Sequence, residues 1–201
     1  MSKSVCALAH REDSTREAFQ RYYEENHAPL AITLFPFSAY VRNHVVDAAD
    51  FDWDTISEFW SDDIARTAAL MGGPVGEIMR ADEERFMNRA RIAPGGAEDV
   101  VITPGPRADK AGRRTCLLLK ASDEAGNVRA TARQWAEDLG RTRTGVCVDF
   151  VTSWNTPSFP AEVLIWLPGW TDLTDGPGGL QVRTLRVRRC ETPASELLAG
   201  P

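Results

Sequence analysis

The sequence predicts an α+β fold in which two tandem β-α-β-β-α-β units close into one barrel within a single chain. Three observations predict it. A strand, helix, strand, strand, helix, strand order runs through the first 92 residues. Residues 93–112 are rich in proline and glycine, as expected of a linker. Beyond them the order begins again, with Thr115-Cys116-Leu117-Leu118-Leu119 repeating the pattern of Val5-Cys6-Ala7-Leu8-Ala9 and Trp166 falling where Trp60 fell in the first half.

In the first half, Val5 to Ala9 is a short apolar run that suits a buried strand. Ser14-Thr15-Arg16-Glu17 has the form of a capping box, so a helix should run from Thr15 to Asn26 and stop there, because Pro29 disfavours helical geometry at Ala28. Phe19, Tyr23 and His27 are spaced four apart and share one face of that helix. A strand over 38–47 follows, with Tyr40, Arg42, His44 and Val46 on one face and Val41, Asn43 and Val45 on the other. The next strand, 54–60, puts Ile56, Glu58 and Trp60 together. Ser61 is the expected N-cap of a helix carrying Ile64, Ala68 and Met71, which Gly72-Gly73-Pro74 breaks. A short helix over 75–81 and a fourth strand over 89–92 complete the unit.

In the second half, Asn127 caps a helix bearing Val128, Thr131, Ala132, Trp135 and Leu139. Strands at 146–151, 162–167 and 181–189 follow, and the segment 168–179 is too short for a full second helix. The organisation is therefore a first unit at 1–92, a linker at 93–112, a degenerate second unit at 113–190 and a tail at 191–201. Each unit is of the ferredoxin-like type, with helices on one sheet face only, so the other face needs cover that the second unit supplies. A cavity between the two sheets is the expected place for a small-molecule site.

Composition narrows the function. The net charge of -6 disfavours nucleic acid as a partner, since phosphate binding relies on clustered cations. The basic run Arg183, Arg186, Arg188 and Arg189 alternates with apolar residues and reads as the solvated face of a strand. No apolar run approaches the roughly 20 residues of a membrane span, and the opening residues lack the long apolar region of a secretion signal, so a cytoplasmic protein is expected. Cys6, Cys116, Cys147 and Cys190 lie far apart in sequence with no close His partner, and His10, His27 and His44 lack metal-ligand spacing. Reduced thiols and no metal are the expectation, and no dinucleotide or phosphate-binding motif is present.

Four stretches in order and spacing then point to a family: Phe19 to Tyr23 with His27-Ala28-Pro29-Leu30, Tyr40-Val41-Arg42-Asn43-His44-Val45, Ile56-Ser57-Glu58-Phe59-Trp60, and Ala81-Asp82-Glu83-Glu84-Arg85-Phe86. In these the first half resembles the EthD family, within the dimeric α/β-barrel superfamily. The second half shares only the order of elements and contains no histidine. Pro36-Phe37-Ser38 stands where the family tends to have a proline-glycine turn, and Asn88 where an aspartate often follows the phenylalanine. The resemblance implies a barrel with a pocket, often without cofactor. It also implies dehydration, decarboxylation or cyclisation of aromatic or polyketide-like compounds, or a role in degrading xenobiotics.

The candidate catalytic residues are His27, His44 and Glu58. An imidazole can take and give a proton near neutrality, although a histidine at a helix end can equally cap free carbonyls. His44 shares its strand face with Tyr40 and Arg42, a trio able to orient a phenol or carboxylate, or else to be satisfied within a strand pair. Glu58, if buried, should have a raised pKa and act as acid or base, and Asp149 poses the same question. Tyr23, Trp60 and Trp166 are candidates to stack on an aromatic ligand, or are core.

The expected function is a cofactor-independent enzyme that moves protons on a hydrophobic or aromatic small molecule, as a lyase or an isomerase. The alternatives are a cofactorless monooxygenase and a non-catalytic ligand-holding or accessory protein. Fusion of two units allows a monomer, and a homodimer stays open.

Overall fold

The computed structural model describes residues 2–122, 127–173 and 175–197. The last residues of the expected tail, 198–201, lie outside the described residues. Eight strands form a closed barrel: β1 (Ser2–Leu8), β2 (Ala39–Val45), β3 (Thr55–Ser61), β4 (Ala93–Val101), β5 (Arg113–Ala121), β6 (Cys147–Ser153), β7 (Val163–Pro168) and β8 (Leu180–Glu191). Their order around the barrel is β1-β3-β2-β8-β5-β7-β6-β4, with every neighbouring pair antiparallel. The first four strands stand in the order β4-β1-β3-β2 and the last four in the order β8-β5-β7-β6, which is the same order of first, second, third and fourth strand in each unit. The second strand of each unit pairs with the fourth of the other, through β2·β8 and β6·β4, so two ferredoxin-like sheets close on each other.

The helices of the first unit cover the outer face of β1, β2 and β3. They are α1 (Arg16–Tyr22), α2 (Ala28–Leu34), α3 (Ile64–Ala69) and α4 (Pro74–Phe86). The expected stop before Pro29 does not occur. A single π-turn over Tyr23–His27 joins α1 to α2, with the Ala28 N–H reaching back five residues to the Tyr23 carbonyl. Proline has no N–H to give the carbonyl four residues back, and the wider turn accommodates both that lost bond and the ring. Thr15 rather than Ser14 caps α1, its Oγ1 accepting from the Ala18 amide at 3.2 Å, and Asp63 rather than Ser61 caps α3.

α4 is a 13-residue helix rather than the short one expected over 75–81. Its buried face carries Asp82 and Glu83 beside Met79 and Phe86, so an apolar periodicity does not mark its second half.

The stretch 93–112 is not a linker throughout. Residues 93–101 form β4, which pairs with both β1 and β6 and completes the barrel, whereas Arg89–Arg91 is a 3-10 turn and not the fourth strand. The glycines that resemble a linker serve close packing: a Cβ on Gly95 would lie 2.9 Å from both the Thr152 carbonyl oxygen and the Val151 side chain. In the second unit α5 (Val128–Gly140), capped by Asn127, is the one α-helix on the outer face of its sheet among the described residues. Its contacts with Leu117, Leu119, Val148, Ile165 and Leu167 form an aliphatic core.

Candidate active site

A pocket of about 540 Å³ lies between the outer face of the first sheet and helices α2 to α4. It is not between the sheets, where the sequence placed it. The strands contribute Cys6, Leu8, Tyr40 and Phe59, the helices contribute Ala31, Thr67 and Met79, and the 3-10 turn between α3 and α4 adds Met71. The second unit adds Trp154, Asn155 and Thr156 from the connection between β6 and β7. The wall is mainly apolar, and Phe37 is part of it.

His27 is on this wall and is buried. The π-turn keeps it on the same face as Phe19 and Tyr23, with ring centroids 4.8 Å apart between Tyr23 and His27 and 5.1 Å between His27 and Phe86. Nδ1 of His27 lies 2.7 Å from Oδ2 of Asp82, whose Oδ1 accepts from the Tyr22 hydroxyl at 2.8 Å. A carboxylate can only accept, so Nδ1 carries the proton and Nε2 of neutral His27 is the basic nitrogen. Burial pushes the Asp82 carboxyl up, but hydrogen bonds from His27 and Tyr22 and the charges of His27 and Arg85 outweigh it and hold it below the usual range. Asp82 therefore stays ionised and orients the imidazole.

Glu83, the next residue of α4, lines the same pocket. Burial pushes its carboxyl up, against the opposing charges of His27 and Arg89. Arg89 Nε donates to its Oε2 at 3.2 Å. The Tyr40 hydroxyl donates to that of Tyr23 at 2.8 Å, and Tyr23 in turn meets Ser57 Oγ at 2.9 Å. Burial raises the pKa of both phenols and pushes the Cys6 thiol up to about 12, so none of the three ionises near neutral pH.

The sequence profile of the EthD domain matches residues 11–90. Those residues are similar to an EthD domain. Three solved structures are similar to the chain in fold. The first is an ethyl tert-butyl ether D (EthD) family protein from Bacillus halodurans, at 18% identity and a TM-score of 0.37, over 47% of this chain and 97% of that one. The second is a candidate monooxygenase from Lactobacillus acidophilus, at 11% identity and a TM-score of 0.49, over 94% and 93%. The third is a candidate chlorite dismutase, at 9% identity and a TM-score of 0.46, over 98% and 97%. No curated protein matches the chain significantly.

Within the matched residues, Tyr23, His27 and Tyr40 meet at the pocket, and the other candidates lie elsewhere. His44 and Arg42 share the helix-facing side of β2 with Tyr40 but bind Glu24 instead of lining the pocket. His44 Nε2 lies 2.6 Å from Glu24 Oε1, and Arg42 forms a bidentate pair with Glu24 at 3.0 and 2.7 Å. His44 Nδ1 is 2.6 Å from Thr55 Oγ1. Both ring nitrogens are therefore engaged: Nε2 donates to the carboxylate and Nδ1 accepts from the hydroxyl, the opposite tautomer to His27. Burial lowers the His44 pKa, opposed by Glu24.

Pairing of β2 with β8 also brings Cys190 within 4.8 Å of His44 and Glu24, a neighbour that sequence spacing conceals. The Arg42 guanidinium already occupies Glu24, and its charge competes with any cation there.

Glu58, Trp60, Asp149 and Trp166 face the barrel interior and form no part of the pocket. They cluster at one end of it with Lys3 and Arg114. Lys3 Nζ meets Glu58 at 2.6 Å and Asp149 at 2.7 Å, Arg114 meets Glu58 at 2.5 Å, and Trp166 Nε1 donates to Asp149 at 2.7 Å. Lys3 lies over the Trp60 ring at 4.6 Å and Arg114 over Trp166 at 3.9 Å, so each tryptophan stacks on a protein cation rather than on a ligand. Glu58 is buried, yet its pKa moves down and not up: burial raises it, and the charges of Arg114 and Lys3 with the Asn43 hydrogen bond overcome that. A permanently ionised, fully paired carboxylate is a poor general acid or base.

Sequence reasoning missed Asp82 and Glu83. Both stand in the Ala81 to Phe86 stretch that carries the family resemblance, and the signal available was two carboxylates inside an otherwise amphipathic helix. Among the described residues, no helix is long and apolar enough to cross a membrane.

Proposed function

We propose that the protein is a cofactor-independent enzyme that transfers protons on a hydrophobic, aromatic or polyketide-like small molecule, as a lyase that eliminates water or carbon dioxide or as an isomerase. One observation carries this reading: the Asp82-bound imidazole of His27 on the wall of an apolar pocket. The dyad supplies a base oriented by the carboxylate behind it. The apolar wall excludes water and suits a ligand of mainly carbon surface.

The test is turnover of a panel of aromatic ketones and β-hydroxy ketones, under argon and in air. Oxygen-independent turnover that falls by about 10²-fold or more in His27→Ala is expected. Turnover unchanged by that substitution sinks the assignment, and turnover that requires oxygen replaces it with a cofactorless monooxygenase. Tight binding with no turnover would favour a ligand-holding protein.

A further inference from the structure

We infer that Glu83 is the second proton-transfer group of the pocket, acting opposite His27 so that the protein isomerises a hydrophobic ketone through its enol. The inference rests on the reading of His27 as the base. Consecutive residues of a helix point about 100° apart. On α4 this gives two carboxylates different surroundings, Asp82 behind the imidazole and Glu83 on the wall that the imidazole also lines. Glu83 is 9% exposed, and among the described residues its Oε1 carries no hydrogen bond.

Of the other titratable groups on the wall, Arg89 holds Glu83 itself through Oε2 at 3.2 Å, and the rest are committed elsewhere. The phenols of Tyr23 and Tyr40 bond each other and Ser57, and the Cys6 thiol is held protonated by burial. Burial likewise favours the neutral carboxyl of Glu83, the form that can donate.

The cycle closes without any co-reactant. His27 Nε2 removes a proton from the carbon beside the carbonyl, the C–H pair forms the enol double bond, and the carbonyl oxygen takes the proton of Glu83. With a β,γ-unsaturated ketone the product is a dienol. Glu83 then recovers the O–H proton, the electron pair moves to the far carbon, and that carbon takes the proton from the His27 imidazolium. Both groups return to their starting state, and the substrate has exchanged only the position of one proton and one double bond.

The probe is 2-tetralone in heavy water, with exchange at its acidic carbon followed by NMR, and 2-naphthol, which has the shape of the enol, as the binding control. The wild type should accelerate exchange over buffer. Glu83→Gln should lower the acceleration by about 10²-fold while 2-naphthol binds as before, and Glu83→Asp should restore part of it. Exchange undiminished in Glu83→Gln but lost in His27→Ala overturns the role of Glu83 and leaves that of His27. Exchange indifferent to both substitutions, or 2-naphthol that fails to bind, overturns both. A wild type that binds 2-naphthol without accelerating exchange overturns the isomerisation and leaves elimination at His27 standing.

Discussion

Asp82 decides which nitrogen of His27 carries the proton, and a test of that role follows from its hydrogen-bonding capacity. Asparagine in its place can still accept at the same distance, but it carries no charge and can also offer an N–H, which admits the wrong tautomer. Asp82→Asn should therefore lower turnover by about 10-fold or more with little change in 2-naphthol affinity, so that kcat falls and KM does not. His27 is legible as a candidate in the sequence because four-residue spacing and the following proline mark it. Its partner is not, because Asp82 lies 55 positions away and the two meet only when α4 crosses α1. Faces of strands are legible by alternation, but which face meets the helices is not. Tyr40 and Glu58 therefore look equally eligible until the pairing of β2 with β3 puts Tyr40 on the helix side and Glu58 inside.

At the scale of elements, proline and glycine mislead twice, for one reason. Each suggests an end of structure where the fold uses it to permit an unusual continuation. Pro29 widens a helix without ending it, which is what keeps His27 buried beside Tyr23. Gly95 lets β4 approach β6 where any side chain would strike the Thr152 carbonyl. Gly95→Val should accordingly destabilise the fold by about 1–3 kcal/mol, read as a lower urea midpoint. Stability equal to the wild type would mean that the β4·β6 seam has room to spare. Asn88, at the position of the family's aspartate, serves the local backbone instead, where its Oδ1 accepts from the Ala90 amide at 3.1 Å and caps the turn into β4.

Over the whole molecule, charged side chains join the two units. Inside the barrel Lys3 and Glu58 of the first unit meet Asp149 and Arg114 of the second. On the outside, Glu24 holds Arg42, which also reaches Thr192 beyond β8 at 2.5 Å. Burial raises the Glu24 carboxyl, but His44 and Arg42 bring it down to about 2 from an ordinary value of 4.5. A depressed carboxyl contributes stability above its unfolded pKa that is lost as pH falls through the folded one, here between about 4.5 and 2 and worth at most about 3 kcal/mol once solvent screening of the part-exposed Glu24 is discounted. The depressed pKa of His44 acts in the same direction from about 6.5 downward, because the unfolded chain takes its proton first. Urea unfolding at pH 5 and 3 should show this loss in the wild type and a visibly smaller difference between the two in Glu24→Gln. Parallel profiles would remove Glu24 from the acid response.

That the described residues of the second unit hold one α-helix has a consequence for how the chain can change. Where the first unit has a pocket, the second has Leu117, Leu119, Ala132, Ala136, Ile165 and Leu167 packed together. A barrel made of two identical subunits presents every substitution twice, so a change that improves a site must also be tolerated at its mirror position. Covalent fusion lifts that symmetry requirement. Residues 11–90 can change while the other half, which reaches the pocket wall through Trp154, Asn155 and Thr156, stays as it is.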